Sequence, residues 1–404
     1  MPFSPIDDIL ADLRQGRMVV LTDDENRENE GDVILPAQFV TPEAITFMLQ
    51  HALGYLCLSL TEADCDRLKL HPQGAINTSV RGTAFTVSID LHPRYGGTTG
   101  VSAKERAKCI QMAIDPKYGP DDFVKPGHIN PLRSRDGGVL VRTGQTEGSV
   151  DLCRLAGLSP AAVIMEVMKQ DGEMARVPDL EKFCAQHNMK MCSVAQIIEH
   201  RLRRESLVKR VEPRAGRTLR TPFGTFTALM YDSLVDPLPH LVLWHDGTGH
   251  VPGVSVTPSL SPSVTPTLVR MHRRHLLGDV FGDLDASPAG ATSTILHASM
   301  RMIQQEGRGA IVYLRTSGDA PGTGEVTDLE GRLQTIRGGP ARDVNTPDLN
   351  IPVGGGTLRE IGVGGQILRD LGLTKLRLIT ASNRQLPGLD AFGLEVVERV
   401  KPST

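Results

Sequence analysis

The 404-residue chain contains no apolar run long enough to cross a bilayer, which excludes a membrane-spanning helix. It also has little net charge. Lysine plus arginine number 44 against 47 aspartate plus glutamate, a formal charge of -3, so no global attraction to nucleic acid or to an anionic membrane follows. The start, Met1-Pro2-Phe3-Ser4, lacks the basic segment and apolar stretch of a secretory leader, and a cytoplasmic location is expected. Cysteine is scarce and lopsided: it stands at 57, 65, 109, 153, 184 and 192, with no close Cys-x-x-Cys pair and none in the second half. That spacing argues against a disulfide framework and against a zinc site built on thiolates. The cysteines are expected to be buried small hydrophobes. What remains, 40% hydrophobic and 23% charged, is ordinary for a soluble globular protein. A chain of 404 residues exceeds one typical core, so two domains are expected.

The pattern along the chain alternates strands and helices, which predicts an α/β or α+β fold. Ser4 is placed to cap a helix with Ile6, Leu10 and Leu13 on one face. Met18–Leu21 and Val33–Leu35 read as strands around a polar, acidic stretch, and Thr41-Pro42-Glu43 reads as a helix start. Tyr55–Leu60, Thr83–Ile89, Val139–Val141 and Ala161–Glu166 read as strands. Ser102 is placed to cap a helix ending about Ile114, and Val177–His187 reads as another helix. The composition then changes. The basic end Arg201-Leu202-Arg203-Arg204 reads as a solvated helix terminus rather than a nucleic-acid surface. Domains are expected at 1–205 and 215–404, with a linker at 206–214. Beyond it, Leu219–Asp232 is strand-rich, 252–266 and 318–324 read as loops, and Ala291–Glu306 and Leu358–Leu371 read as helices. Each of those helices is followed by a strand, at Ala310–Leu314 and Leu376–Thr380. No internal repeat is visible.

The most informative stretch is Asp23-Asp24-Glu25-Asn26-Arg27-Glu28-Asn29-Glu30-Gly31-Asp32. Six carboxylates in ten residues repel one another unless a cation neutralises them. Composition alone leaves a plain solvated loop open. The flanking strands place the run at a sheet end, where α/β sites are commonly built. Carboxylates there suit Mg²⁺ or Mn²⁺, and Arg27 suits a phosphate or sugar oxygen. Lys125-Pro126-Gly127-His128 brings a histidine after a glycine whose backbone can approach a ligand, although a lone histidine is usually structural. Arg142-Thr143-Gly144-Gln145-Thr146-Glu147 lies between a strand and a helix, a junction whose backbone N–H groups suit a phosphate but which is common as a mere connection. Glu166 ends an apolar run, so its carboxylate is either paired or kept for acid/base work.

In order, these motifs resemble the 3,4-dihydroxy-2-butanone 4-phosphate synthase family. The acidic run matches, as do Asn77-Thr78-Ser79, Gly82-Thr83 with Phe85-Thr86-Val87, Thr98-Thr99-Gly100 with Ser102-Ala103, Pro126-Gly127-His128 and Gly138-Val139-Leu140. The resemblance covers roughly residues 5 to 202. It implies conversion of D-ribulose 5-phosphate to L-3,4-dihydroxy-2-butanone 4-phosphate and formate, a riboflavin-pathway lyase reaction, in a homodimer using Mg²⁺ or Mn²⁺. Arg27, Asp32, Arg142, Thr143, Gly144, Gln145 and Thr146 fall on substrate-contacting positions. Glu28 and Gln145 fall on metal-ligand positions, and His128, Glu166, Glu30 and Cys57 on catalytic ones. The departure that matters is Gln145, where the family has histidine. Its amide oxygen suits Mg²⁺, but it cannot act as a base. Lys125 stands where arginine is usual and Asn130 where an aromatic is usual.

The second half resembles GTP cyclohydrolase II. Arg220-Thr221-Pro222-Phe223-Gly224, His272 with Gly278-Asp279-Val280-Phe281-Gly282, Glu306-Gly307-Arg308-Gly309 and Gly364-Gly365-Gln366-Ile367-Leu368 carry the likeness. That family holds zinc with three cysteines, and the matching positions here are His275, Ala286 and Pro288. No zinc and no cyclohydrolase activity are therefore expected. The leading expectation is a synthase with a degenerate cyclohydrolase-like domain. The alternatives are a catalytically silent regulatory or scaffold protein and an enzyme for a related sugar phosphate.

Overall fold

The structure is a computed structural model. It describes residues 3–402 except 26, 76, 78, 80, 81, 237, 248–250, 252–264, 288, 289, 316–354, 381–388, 390 and 391. It divides into two compact units, Met1–His200 and Arg201–Thr404. The expected loops at 252–266 and 318–324 lie largely or wholly outside the described residues, as do Thr78 and Pro288.

Unit 1 contains α1 (Ile6–Arg14), β1 (Val19–Thr22), β2 (Gly31–Pro36), α2 (Pro42–His51), β3 (Cys57–Leu60), α3 (Glu62–Arg67) and β4 (Ile89–Leu91). It continues through α4 (Ala103–Ile114), β5 (Phe123–Arg133), α5 (Gln145–Leu155), β6 (Ala162–Glu166), α6 (Val177–His187) and β7 (Lys190–Ser193). Helix α7 (Val194–Arg204) crosses the unit boundary. The strands form one mixed seven-stranded sheet in the order β4-β5-β3-β6-β2-β1-β7. Strands β1, β2 and β3 are buried at every position, because helices cover both faces. Val20, Val33, Leu35, Leu58, Leu60, Val163 and Met165 pack in one cluster with Ile45 and Met48 of α2, Ile110 of α4 and Leu180 of α6. On the opposite face Gly148 of α5 lies so close to Leu21 that a side chain there would collide with it. Each fully buried aliphatic side chain contributes about 1.5–3 kcal/mol. The interior is what holds the sheet ends, and the polar residues on them, in place.

Local sequence explains most of these elements. Thr41 caps α2 and Ser102 caps α4 through side-chain oxygens that accept from Ala44 N and Glu105 N. Other expectations need correction. Helix α1 is preceded by Pro5 with no side-chain cap, so Ser4 does not serve there, and its N–H instead donates to Met191 O. Val139–Val141 is not a strand: Gly137 and Gly138 both have positive φ and start a short 3-10 turn, Gly138–Leu140. Of Thr83–Ile89, only Ile89 enters a strand, while Phe85 and Thr86 make isolated bridges. Residues 123–133 form the longest strand of this sheet, with Pro126 inside it, where the sequence suggested no strand.

Unit 2 contains β8 (Val208–Arg210), β9 (Arg217–Thr221), β10 (Gly224–Ser233), β11 (His240–His245), β12 (Thr267–Arg273) and α8 (Leu276–Val280). It closes with α9 (Thr292–Glu306), β13 (Gly309–Leu314), α10 (Gly355–Asp370), β14 (Lys375–Ile379) and β15 (Glu395–Val400). Its sheet runs β15-β14-β12-β13-β11-β10-β8, with β9 paired to β10. Phe226, Leu243, Leu268, Ile303 and Ile311 form its core against α9. Part of the expected 206–214 linker is strand β8, whose Arg210 pairs with Tyr231 of β10. The buried Arg210 guanidinium lies 2.6 Å from Asp370 and donates to the Tyr231 hydroxyl at 2.9 Å. Those contacts tie this segment to α10. All six cysteines are buried and unbridged, as their spacing implied.

Candidate functional site

Strands β1 and β2 are antiparallel neighbours, with Thr22 opposite Gly31, so the acidic run forms the loop of a hairpin. Asp23 organises it. Its carboxylate accepts from Glu28 N at 3.0 Å, Glu30 N at 2.9 Å and Arg27 Nη1 at 2.8 Å. Its side chain is fully buried, so these bonds replace its water. Arg176, ahead of α6, donates to Glu28 O at 2.7 Å and to Asn29 O, which fastens the far side of the loop.

Cross-strand pairing brings the carboxylates together. Asp32 of β2 stands opposite Glu166 of β6. Burial pushes the Asp32 carboxyl well above the usual carboxylate range, and the charges of Glu166, Glu28, Asp23 and Glu30 push it the same way. Glu30 is raised by burial, then by Glu28, Glu166 and Asp23, against the pull of Arg176. Glu166 accepts from Tyr55 N at 2.8 Å, just ahead of β3. Cys57 opens β3, and its thiol is pushed up by burial and by Glu166 and Asp32, so it stays protonated.

His128 lies on β5, two residues before Asn130, which pairs with Cys57 of β3. It therefore sits at the same sheet end as Tyr55 and Glu166. Its Nδ1 is 2.7 Å from Asp90 Oδ2 on β4, and its backbone N donates to Asp90 Oδ1 at 2.9 Å. An ionised Asp90 can only accept, so Nδ1 is the donor of this pair. The tight approach at Gly127 is not to a ligand: a side chain there would run into the backbone of Ile89 and Asp90. Lys125 donates to Leu68 O at 2.7 Å, and Asn130 to Leu56 O at 3.2 Å.

The junction ahead of α5 gathers positive charge. Gly144 is the N-cap of α5 and offers no side chain to cap it, which leaves first-turn N–H groups for a ligand. Arg142 Nη1 is held by Glu147 at 2.6 Å. A Cβ on Gly144 would crowd Arg142 Nη1 and come within 3.0 Å of Arg27 Nη2, so two guanidinium groups converge on this glycine. Burial works against the charge of Arg27, but Glu28, Asp23 and Glu147 outweigh it and raise its pKa. Thr143 and Thr146 flank the cradle in sequence, and Thr146 is buried in the first turn of α5.

Gln145 is the hinge between the two groups. Its Oε1 accepts from Arg27 Nη1 at 3.1 Å, and the same Nη1 donates to Glu28 Oε2 at 2.8 Å. Its Nε2 is buried with no hydrogen-bond partner. An unsatisfied buried donor costs about 1–3 kcal/mol. Among the described residues no three histidine, cysteine, aspartate or glutamate side chains come together as a metal site.

The hairpin and α5 thus bring Arg27, Glu28, Gly144 and Gln145 together, and β2, β3 and β6 bring Asp32, Cys57 and Glu166 together. Sequence reasoning gave no separate role to Asp23 and missed Asp90, Arg176 and Tyr55. Asp90 carried a readable signal, an acid between Ile89 and Leu91, the same kind of signal as Glu166.

In unit 2 the segment around α8 is centred on Asp279. Its carboxylate is 2.9 Å from His272 Nε2 and accepts from Thr292 at 2.6 Å, Tyr313 at 2.6 Å and His275 N at 2.9 Å. His275 Nδ1 accepts from Gly278 N at 2.9 Å and so caps α8. A Cβ on Gly278 would crowd both His275 and Ala286, so the fold still brings these two expected ligand positions together.

Comparison with known proteins agrees with both halves. Residues 7–200 match the family model for 3,4-dihydroxy-2-butanone 4-phosphate synthase, and residues 212–401 that for GTP cyclohydrolase II. Riboflavin biosynthesis protein RibBA of Aquifex aeolicus (strain VF5) is 44% identical over 400 residues, 98% of this chain and 92% of the relative. RibBA of Salinispora tropica is 41% identical over 398 residues, 98% and 93%. The crystal structure of RibBX, a two-domain 3,4-dihydroxy-2-butanone 4-phosphate synthase from A. baumannii, superposes with a TM-score of 0.72 at 32% identity, covering 99% of this chain and 100% of that one. Fold and site therefore define a two-domain protein with a synthase-type unit ahead of a cyclohydrolase-type unit. The chain belongs to the RibBA family of riboflavin biosynthesis proteins. No helix among the described residues is long and apolar enough to cross a membrane.

Proposed function

We propose that unit 1 converts D-ribulose 5-phosphate to L-3,4-dihydroxy-2-butanone 4-phosphate and formate. One observation carries this reading: a two-arginine, helix-N-terminal cradle stands beside a crowd of carboxylates. The reaction is a net rearrangement and cleavage, so sugar phosphate alone supplies all the atoms. Arg27, Arg142 and the N–H groups of Thr146 and its neighbours hold the phosphate. Asp32 and Glu30, with raised pKa, carry protons nearer to neutral pH than ordinary carboxyls do. Glu166 accepts a proton beside them. His128 Nε2, oriented by Asp90, accepts a proton at the adjoining strand. Cys57 serves as a neutral thiol, which excludes it as a nucleophile in this form.

A divalent ion would polarise the carbonyl and acidify the carbons beside it. The side chains expected to hold Mg²⁺ or Mn²⁺ are Glu28 and Gln145, and in this arrangement both turn an oxygen to Arg27. As placed they do not fit a two-ligand ion site, and no step is assigned to an ion.

Unit 2 is read as a cyclohydrolase fold without zinc chemistry. His275 spends Nδ1 on a helix cap, Ala286 has no donor atom, and the sequence has no cysteine after 192. RibBX, described as a two-domain 3,4-dihydroxy-2-butanone 4-phosphate synthase, is in keeping with that reading. A homodimer, as the resemblance implies, is the expected assembly.

The test is formate release by the full chain from ribulose 5-phosphate, and separately from GTP with added Zn²⁺. Formate from the sugar phosphate alone is expected. Formate from GTP would overturn the reading of unit 2. None from ribulose 5-phosphate would move the lead to a silent regulatory or scaffold protein, or to a related sugar phosphate if another member of a substrate panel reacts.

A further inference from the structure

We propose that Arg27 is a tethered cation standing between Glu28 and Gln145, and that Gln145 is a substrate-facing hydrogen-bond donor rather than a metal ligand. This rests on the reading of unit 1 as a sugar-phosphate site.

Three observations converge. One nitrogen, Arg27 Nη1, is within hydrogen-bond distance of Glu28 Oε2 at 2.8 Å and of Gln145 Oε1 at 3.1 Å. These are the two side chains the family resemblance assigns to an ion, and the guanidinium bridges them. Asp23, itself buried, holds the same nitrogen at 2.8 Å, so the arginine is fixed there by the fold of the hairpin rather than by Gln145 alone. Finally, the amide nitrogen of Gln145 is buried without a partner, at the turn where Arg142 and Arg27 converge on Gly144.

The amide geometry decides between the two roles. For Gln145 to give its oxygen to an ion, either the ion shares that oxygen with the adjacent guanidinium, cation beside cation, or the amide turns over. That turn would set its N–H groups against the N–H groups of Arg27, donor against donor. Left as it is, the amide satisfies Arg27 with its oxygen and offers two N–H donors to an acceptor in the site. A phosphate or sugar oxygen is such an acceptor, and a cation is not. An ion also needs several oxygen ligands in near-octahedral order, and although carboxylates crowd this end of the sheet, no three histidine, cysteine, aspartate or glutamate side chains among the described residues are placed to hold one.

The experiment is a titration of the full chain with Mn²⁺, followed by electron paramagnetic resonance, beside calorimetric binding of ribulose 5-phosphate with and without chelator. Gln145→His and Gln145→Leu are measured alongside. The wild-type chain is expected to show no saturable Mn²⁺ site tighter than about 1 mM. It is expected to bind ribulose 5-phosphate equally with and without chelator. Gln145→His should gain a Mn²⁺ site. Gln145→Leu should lose about tenfold in sugar-phosphate affinity, since it removes a donor and leaves the charge count unchanged. A stoichiometric wild-type Mn²⁺ site that disappears in Gln145→Leu would overturn the proposal, and needs no assumption about turnover. Should Gln145→Leu fail to fold, the wild-type titration decides by itself. Absence of any ribulose 5-phosphate binding would instead defeat the reading of unit 1 as its site.

Discussion

The two units differ in what stands at the positions where the sequence resemblance expects metal ligands. In unit 1 the position where the resemblance expects histidine holds Gln145, a side chain bonded to Arg27 through its oxygen and buried without a partner at its nitrogen. In unit 2 the expected positions hold Ala286, a methyl, and His275, whose Nδ1 accepts from Gly278 N. Around Gln145 the acidic and basic residues are intact and strained by like charge. Around His275 the central carboxylate, Asp279, is satisfied from four sides, with its pKa held far below the usual range despite partial burial. Carboxylates whose charges are in conflict fit the proposed chemistry of unit 1, and a carboxylate at rest fits the proposed architectural role in unit 2.

That contrast can be broken by substitution. The largest effect is expected from Asp23→Ala, which removes three bonds that fold the hairpin loop: formate release should fall by more than about 1000-fold, with the far-ultraviolet circular dichroism spectrum unchanged. Retained activity would mean the loop is not the site. Asp90→Asn should lower kcat about 100-fold and leave KM within about threefold, because it misorients His128 without touching the phosphate cradle. Arg142→Ala should do the reverse, raising KM about tenfold or more with a smaller change in kcat.

The smaller effects are on stability and have opposite signs in the two units. Asp32 has a raised folded-state pKa, so the folded chain holds a proton that the unfolded chain has lost. Its contribution falls as pH rises from the ordinary carboxylate value through the raised one. Asp32→Asn should therefore raise the thermal midpoint at pH 7, with less gain at pH 4. Asp279 is depressed, so its contribution is full above the ordinary carboxylate value and is lost as pH falls below it toward the folded value. Asp279→Asn should lower the midpoint at pH 7 and flatten the acid limb below about pH 4. Scanning calorimetry on the full chain checks both. Equal signs for the two substitutions would erase the distinction drawn between the units.

Much of this was legible in the sequence where one short window held the information. Thr41 and Ser102 announced α2 and α4, because an N-cap and its helix are contiguous. Val177–His187 was readable in full. The acidic run named its own loop. Strand β5 was hidden by Pro126 and Gly127, and its pairing with β3 and β4, set by residues far along the chain, overrides the local signal. Val139 misled for the opposite reason: an apolar triplet looks like a strand, but two positive-φ glycines ahead of it wind a 3-10 turn. Asp90 was passed over because its partner, His128, is 38 residues away. The orientation of Gln145 could not be read at all, since it depends on Arg27 at a separation of 118 residues.

That last separation bears on how the site assembles. The Asp23-centred hairpin closes over a few residues and can form early, at small cost in chain entropy. Arg27 meets Gln145 only when α5, more than a hundred residues further on, has docked beside the hairpin, since the contact spans 118 residues. Appearance of sugar-phosphate binding during refolding would thus trail the hairpin and report the docking of α5 beside it, making the ligand a probe for a long-range contact of the unit.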